Sequence, residues 1–108
     1  MANEVKETAK WFHYLLAFMA GIFLMNALPH LVMGVTGQLF PTPFANPPGE
    51  GLSSPVYNVL WATINFSVGI IFIYFSKVKH YRNTRITLGL GGIVMAFYLA
   101  NYFGQIMQ

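Results

Sequence analysis

The chain has 108 residues, of which 56% are hydrophobic, 17% aromatic and only 8% charged, with a formal net charge of +3. So small a charged share cannot cover a water-facing surface, for which roughly a quarter charged is usual, and a chain this short makes one domain, 1–108. No cysteine is present, which excludes disulfides, thiolate metal sites, Fe–S clusters and cysteine nucleophiles. The basic residues flank apolar runs instead of forming a groove-sized motif, so nucleic acid is not an expected partner.

The first apolar run extends from Trp11 to Val35. Lys6 and Lys10 precede it, as in a secretory signal, but the run continues through Leu28 and Leu31, longer than a signal's apolar region, and no small-residue cleavage site follows. We therefore expect a retained membrane span, and a bacterial inner membrane fits the lack of targeting signals. Within it Asn26, His30, Gly34 and Gly37 recur at helical spacing on one face. Pro29 frees a backbone carbonyl about one turn earlier, near Met25. Two readings stand: nearby asparagines satisfy that carbonyl, or the kink and the polar residues line an outward-facing cavity for a small polar ligand or ion. His30 is the only ionisable side chain deep in any span, either a hydrogen-bonded structural group or one whose protonation gates transport.

The segment from Thr36 to Pro55 holds Pro41, Pro43, Pro47, Pro48 and Pro55 with Gly37, Gly49 and Gly51. So many prolines rule out a further helix. Phe40 and Phe44 flank Pro41-Thr42-Pro43, so the loop folds back onto the helices or dips its rings into the interface. Ser53-Ser54-Pro55 reads as a serine N-cap with proline at the first helical position.

The stretches Asn26-Ala27-Leu28-Pro29-His30, Phe40-Pro41-Thr42-Pro43-Phe44, Gly51-Leu52-Ser53-Ser54-Pro55 and Asn58-Val59-Leu60-Trp61, with Gly34 and Gly37, resemble those of small bacterial integral membrane proteins with no assigned activity. The resemblance covers about a third of the chain and implies a membrane fold but no catalytic residues.

The second run, 56–76, carries Asn58, Ala62, Asn65, Gly69 and Ser76 as a small and polar stripe opposite Val59, Leu60 and Ile64. The third, 86–104, carries Gly89, Gly92, Ala96, Ala100 and Gly104, a small-residue track for close helix packing. None of the three runs contains Asp, Glu, Lys or Arg, and each approaches or exceeds the roughly 20 residues that span a ~30 Å hydrocarbon core. The sequence thus predicts an all-α membrane protein with three transmembrane helices, at about 11–35, 56–76 and 86–104, and a Pro-rich outer loop.

Basic residues fall only before the first run, at Lys6 and Lys10, and between the second and third, at Lys77, Lys79, Arg82 and Arg85. The positive-inside rule places those segments in the cytoplasm, and the loop 36–55 and the C-terminus outside. Asn26, His30, Asn58 and Asn101 then share the outer half of the membrane, with Asn65 nearer the middle, and form the expected polar cluster. His13 is expected at the inner interface, solvated or facing headgroups.

Glu4, Glu7 and Glu50 are the only acids, all outside the runs, so no catalytic constellation is expected, and neither is a cofactor or a metal site. Helix-packing glycines and alanines (Gly34, Gly69, Gly89, Gly92, Ala96 and Ala100) point to action by assembly in the lipid bilayer, as a homo-oligomer or beside a larger membrane partner. The alternative is an oligomeric permease or channel with a pathway near Asn26, His30, Asn58 and Asn65.

Overall fold

A computed structural model describes residues 8–107; Glu4, Lys6 and Glu7 lie outside the described residues. It contains three long helices, α1 (Trp11–Val35), α2 (Pro55–Ser76) and α3 (Arg82–Ile106), each long and apolar enough to cross a membrane. At about 1.5 Å per residue they measure roughly 33 to 37 Å, somewhat more than a hydrocarbon core. The distribution of side chains is inverted relative to a soluble protein. Most exposed positions along the helices are large and apolar, among them Leu28, Val32, Leu60, Ile71, Ile93 and Phe97, while the fully buried side chains include His30, Asn58, Asn65, Thr84 and Ser76. That polarity fits a multi-pass membrane protein, in which lipid solvates the apolar side and polar groups pair with one another.

The helices do not close into a triangle. α1 packs along both α2 and α3, whereas α2 and α3 hardly meet, so the spatial order is α2, α1, α3. The reason lies in α1 itself. Its buried residues, among them His13, Ala17, Gly21, Ala27, His30 and Gly34, spread over about half the circumference at 100° per residue, enough to seat a helix on each side. Small residues set the distance. A Cβ on Gly21 would collide with the Leu88 carbonyl oxygen, and one on Gly91 with the Phe18 carbonyl oxygen, so α1 and α3 touch backbone to backbone. On the other side, a Cβ on Gly34 would lie 2.6 Å from Val59 Cγ2, and one on Gly69 2.7 Å from Leu24 Cδ2.

α3 departs from expectation twice. It starts at Arg82 instead of 86, because its first turn is polar and a hydropathy reading discards it; Arg85 Nη1 donates back to the Val78 carbonyl at 2.8 Å, so α3 does contain arginine. Its buried face is Thr84, Gly91 and Leu99, displaced by about one residue step, 100°, from the expected glycine and alanine track. Gly89 and Ala100 are exposed, Ala96 is half-buried, and only Gly92 borders the α1 seam, 3.7 Å from the Gly21 carbonyl oxygen to a built Cβ.

Between α1 and α2 the chain forms a small antiparallel ribbon, β1 (Phe40–Pro41) and β2 (Leu52–Ser53), with Phe40 opposite Ser53 and Pro41 opposite Leu52. α1 stops where Gly37 takes φ 77 and Gln38 N donates to the Met33 carbonyl at 2.8 Å, a closing bond of the kind that terminates helices at glycine. α2 begins at Pro55 with Ser54 as its cap, whose Oγ accepts from Tyr57 N at 3.2 Å.

Candidate functional site

Asn58 lies in the first turn of α2, where the Ser54 cap and Pro55 start the helix directly beneath the ribbon. Its Nδ2 is 3.0 Å from the Phe40 carbonyl oxygen, 3.2 Å from that of Ser53 and 3.1 Å from that of Ser54. Phe40 and Ser53 are the paired residues of the ribbon, so one amide nitrogen ties both strands to the head of α2. Three carbonyls around that nitrogen turn Asn58 Oδ1 toward α1, where it sits 2.8 Å from His30 Nδ1. An amide oxygen only accepts, so His30 Nδ1 donates. In the neutral ring Nε2 is then the bare nitrogen.

One turn deeper, Asn26 Nδ2 donates to Asn65 Oδ1 at 3.0 Å, and Asn65 Nδ2 donates to the Trp61 carbonyl at 2.8 Å. The antiparallel course of α1 and α2 thus brings four of the predicted polar residues together as two cross-helix rungs, His30 with Asn58 and Asn26 with Asn65. These bonds join the amides to one another and to the carbonyls of Phe40, Ser53, Ser54 and Trp61, rather than to the Met25 carbonyl that Pro29 frees. Asn101 is not part of the group. It lies about 200° around α3 from the buried Leu99, is exposed, and among the described residues accepts only from Gln105 Nε2, 3.4 Å away on its own helix.

Aromatic rings enclose the His30 imidazole. Phe40, Trp61 and Phe103 present their edges or faces nearly perpendicular to it, at centroid distances of 5.3, 6.5 and 6.4 Å, and Phe40 and Phe103 lie 4.5 Å apart. Phe40 therefore folds inward, while Phe44 stays exposed beside Tyr57 and Trp61. Tyr102 donates its hydroxyl to the Gly49 carbonyl at 2.8 Å, which binds α3 to the far end of the ribbon's turn. Thr42 and Ser53 share a hydroxyl hydrogen bond in the same buried layer. Phe103, Tyr102 and Thr42 carry no local pattern that marks them, because each acts on a partner distant in sequence.

A cavity of about 310 Å³ opens in the angle between α2 and α3 over α1. Asn26 and His30 contribute its polar side, Trp61 one wall, Met95 and Leu99 the other, and Pro41 part of its cover. Asn58 and Asn65 do not reach it, and among the described residues no Asp, Glu, Lys or Arg lines it.

The other histidines lie elsewhere. His13 is buried rather than solvated: its Nδ1 accepts from Lys10 N at 2.9 Å, which caps α1, and its ring stands 5.4 Å from that of Tyr81. His80 is exposed. Among the described residues no group of three or more His, Cys, Asp or Glu comes together. Comparisons with family models, with curated proteins and with solved structures give no match.

Proposed function

We propose that this is a multi-pass membrane protein that acts by assembly, as a homo-oligomer or as a subunit beside a larger membrane partner, and that α3 carries the contact. The observation that supports it is the direction of the small-residue track. Gly89 and Ala100 are exposed, away from the buried face of α3, and among the described residues a Cβ on Gly89 or Gly104 would meet nothing within 4 Å. Most other outward positions are large, with Thr63 and Ser67 on α2 the other small exposed pair, and small residues on an outward helix face favour the close approach of another helix.

The distribution of charge supports an orientation. Contact between His13 and Tyr81 puts the start of α1 beside the start of α3, so Lys10, Lys77, Lys79, Arg82 and Arg85 gather at one end; the ribbon end carries Glu50 alone. By the positive-inside rule the basic end is cytoplasmic, and the Pro-rich ribbon segment with the C-terminus lies outside. A permeation pathway through the asparagines has less support, since Asn58 and Asn65 are buried and bonded on both amide atoms.

Native mass spectrometry from lipid tests the assembly reading. The wild type is expected as a complex heavier than the chain, and Gly89→Leu with Ala100→Leu is expected to release the single chain. A wild type that flies as one chain from native lipid refutes the reading.

A further inference from the structure

The cavity beside His30 is lined by neither Gly89 nor Ala100, and its chemistry is specific. We propose that it binds a small, uncharged aromatic molecule bearing a hydroxyl, such as a phenol, whose hydroxyl donates to His30 Nε2.

Three observations define the ligand. First, the polar atoms that α1 presents to the cavity are acceptors, beside the hydroxyl-bearing Thr42, Tyr98 and Tyr102 of the loop and α3. His30 is 2% exposed and donates from Nδ1 to Asn58, and among the described residues Nε2 has no hydrogen-bond partner. Yet among the described residues no side-chain nitrogen or oxygen is both buried and unpartnered, so Nε2 has access to the space that His30 lines. Asn26 lines the same space one turn away and commits its nitrogen to Asn65, which leaves its Oδ1 as a second acceptor. A ligand that satisfies these atoms must donate.

Second, the ligand is neutral. With no charged side chain among the described residues of the lining, a buried ion would lack a counter-charge, and desolvation of an unpaired ion in such a site is prohibitive. Third, the walls are flat. Trp61, Tyr98 and Phe103 line the space with Leu99 and Met95, which suits a planar ring at edge or offset geometry, and about 310 Å³ is at the small end of ligand sites. Because α2 and α3 hardly meet, the site lies in the open angle between them, where a molecule dissolved in the lipid can enter. An acyl chain would fill the apolar walls but leave Nε2 unbonded.

The test uses the full chain, ¹⁵N-labelled at histidine, in lipid nanodiscs, with 2-naphthol as the probe and 2-methoxynaphthalene as its non-donating match. We expect 2-naphthol to move the His30 Nε2 resonance saturably, the ether to bind about fivefold to tenfold more weakly without that shift, and the His13 resonances to stay in place as the internal control. Met95→Trp, which fills the cavity from α3 and leaves the His30 to Asn58 bond intact, is expected to abolish the response. An Nε2 resonance that ignores 2-naphthol, that responds equally to the ether, or that still responds in Met95→Trp overturns the proposal. These outcomes concern a site inside one chain and are read independently of the oligomeric state.

Discussion

His30 Nδ1 donates to Asn58 Oδ1 across 2.8 Å, and the direction of that bond is set by the carbonyls of Phe40, Ser53 and Ser54 around Asn58 Nδ2. His13 has the opposite arrangement, since its Nδ1 accepts from Lys10 N. The two neutral rings are therefore opposite tautomers. Nitrogen NMR at neutral pH should show hydrogen on Nδ1 of His30 and on Nε2 of His13; the same tautomer at both would contradict the geometry.

Asn58→Ala removes the amide that joins α1, α2 and the ribbon. It leaves backbone carbonyls and the His30 N–H without partners in a buried layer, which should cost at least about 2 kcal/mol. Thermal unfolding in mild detergent measures the loss. Hydrogen exchange should rise most at Gly49 and Gly51, whose amides donate to Thr42 and Pro47 carbonyls within the ribbon's turn. His30→Ala in the same chain should add less than its separate effect, because the two residues share one bond.

The three long apolar helices were legible because length, hydropathy and the absence of charge act locally. Asn26, His30, Asn58 and Asn65 were also legible, since polar groups at helical spacing in an apolar run must face protein. Which of them pair was not, because the register of α1 on α2 depends on Gly34 meeting Val59 and Gly69 meeting Leu24. The ribbon was hidden by its prolines, which sit where no ladder donor is needed. Asn101 was misplaced and the packing face of α3 misphased for one reason: Gly89, Gly91 and Gly92 lie close together, and only contact with Phe18 selects Gly91.

That selection can be tested by adding single methyl groups. Gly91→Ala and Gly21→Ala drive a Cβ into the backbone of the facing helix and should each destabilise by about 1 to 3 kcal/mol. Gly89→Ala meets nothing within 4 Å among the described residues and should leave the stability of the single chain unchanged or raise it by up to about 1 kcal/mol through helix propensity. Equal effects at Gly89 and Gly91 would mean that α3 is rotated from the face described.

Tyr102→Phe deletes only the hydroxyl bonded to the Gly49 carbonyl. A loss of about 1 kcal/mol is expected, together with faster hydrogen exchange at Glu50 and Gly51, whose amides donate to the Pro47 carbonyl. Unchanged exchange would mean that α3 does not hold the turn.

The chain has no cysteine, so a single introduced one reports its side of the membrane without interference. Gln38→Cys, at the ribbon end, should react with an impermeant maleimide from outside intact cells. Lys79→Cys, at the basic end, should react only after permeabilisation. The reverse pattern would invert the orientation.

The assembly reading is tested most directly at Ile93, which is exposed on α3 one turn from Gly89. A photo-crosslinking phenylalanine analogue at this position, activated in native membranes, should join the chain to a second copy or to a larger membrane protein, while the same analogue at Ile71 on α2 should label lipid alone. Lipid adducts alone at position 93 would contradict assembly through α3.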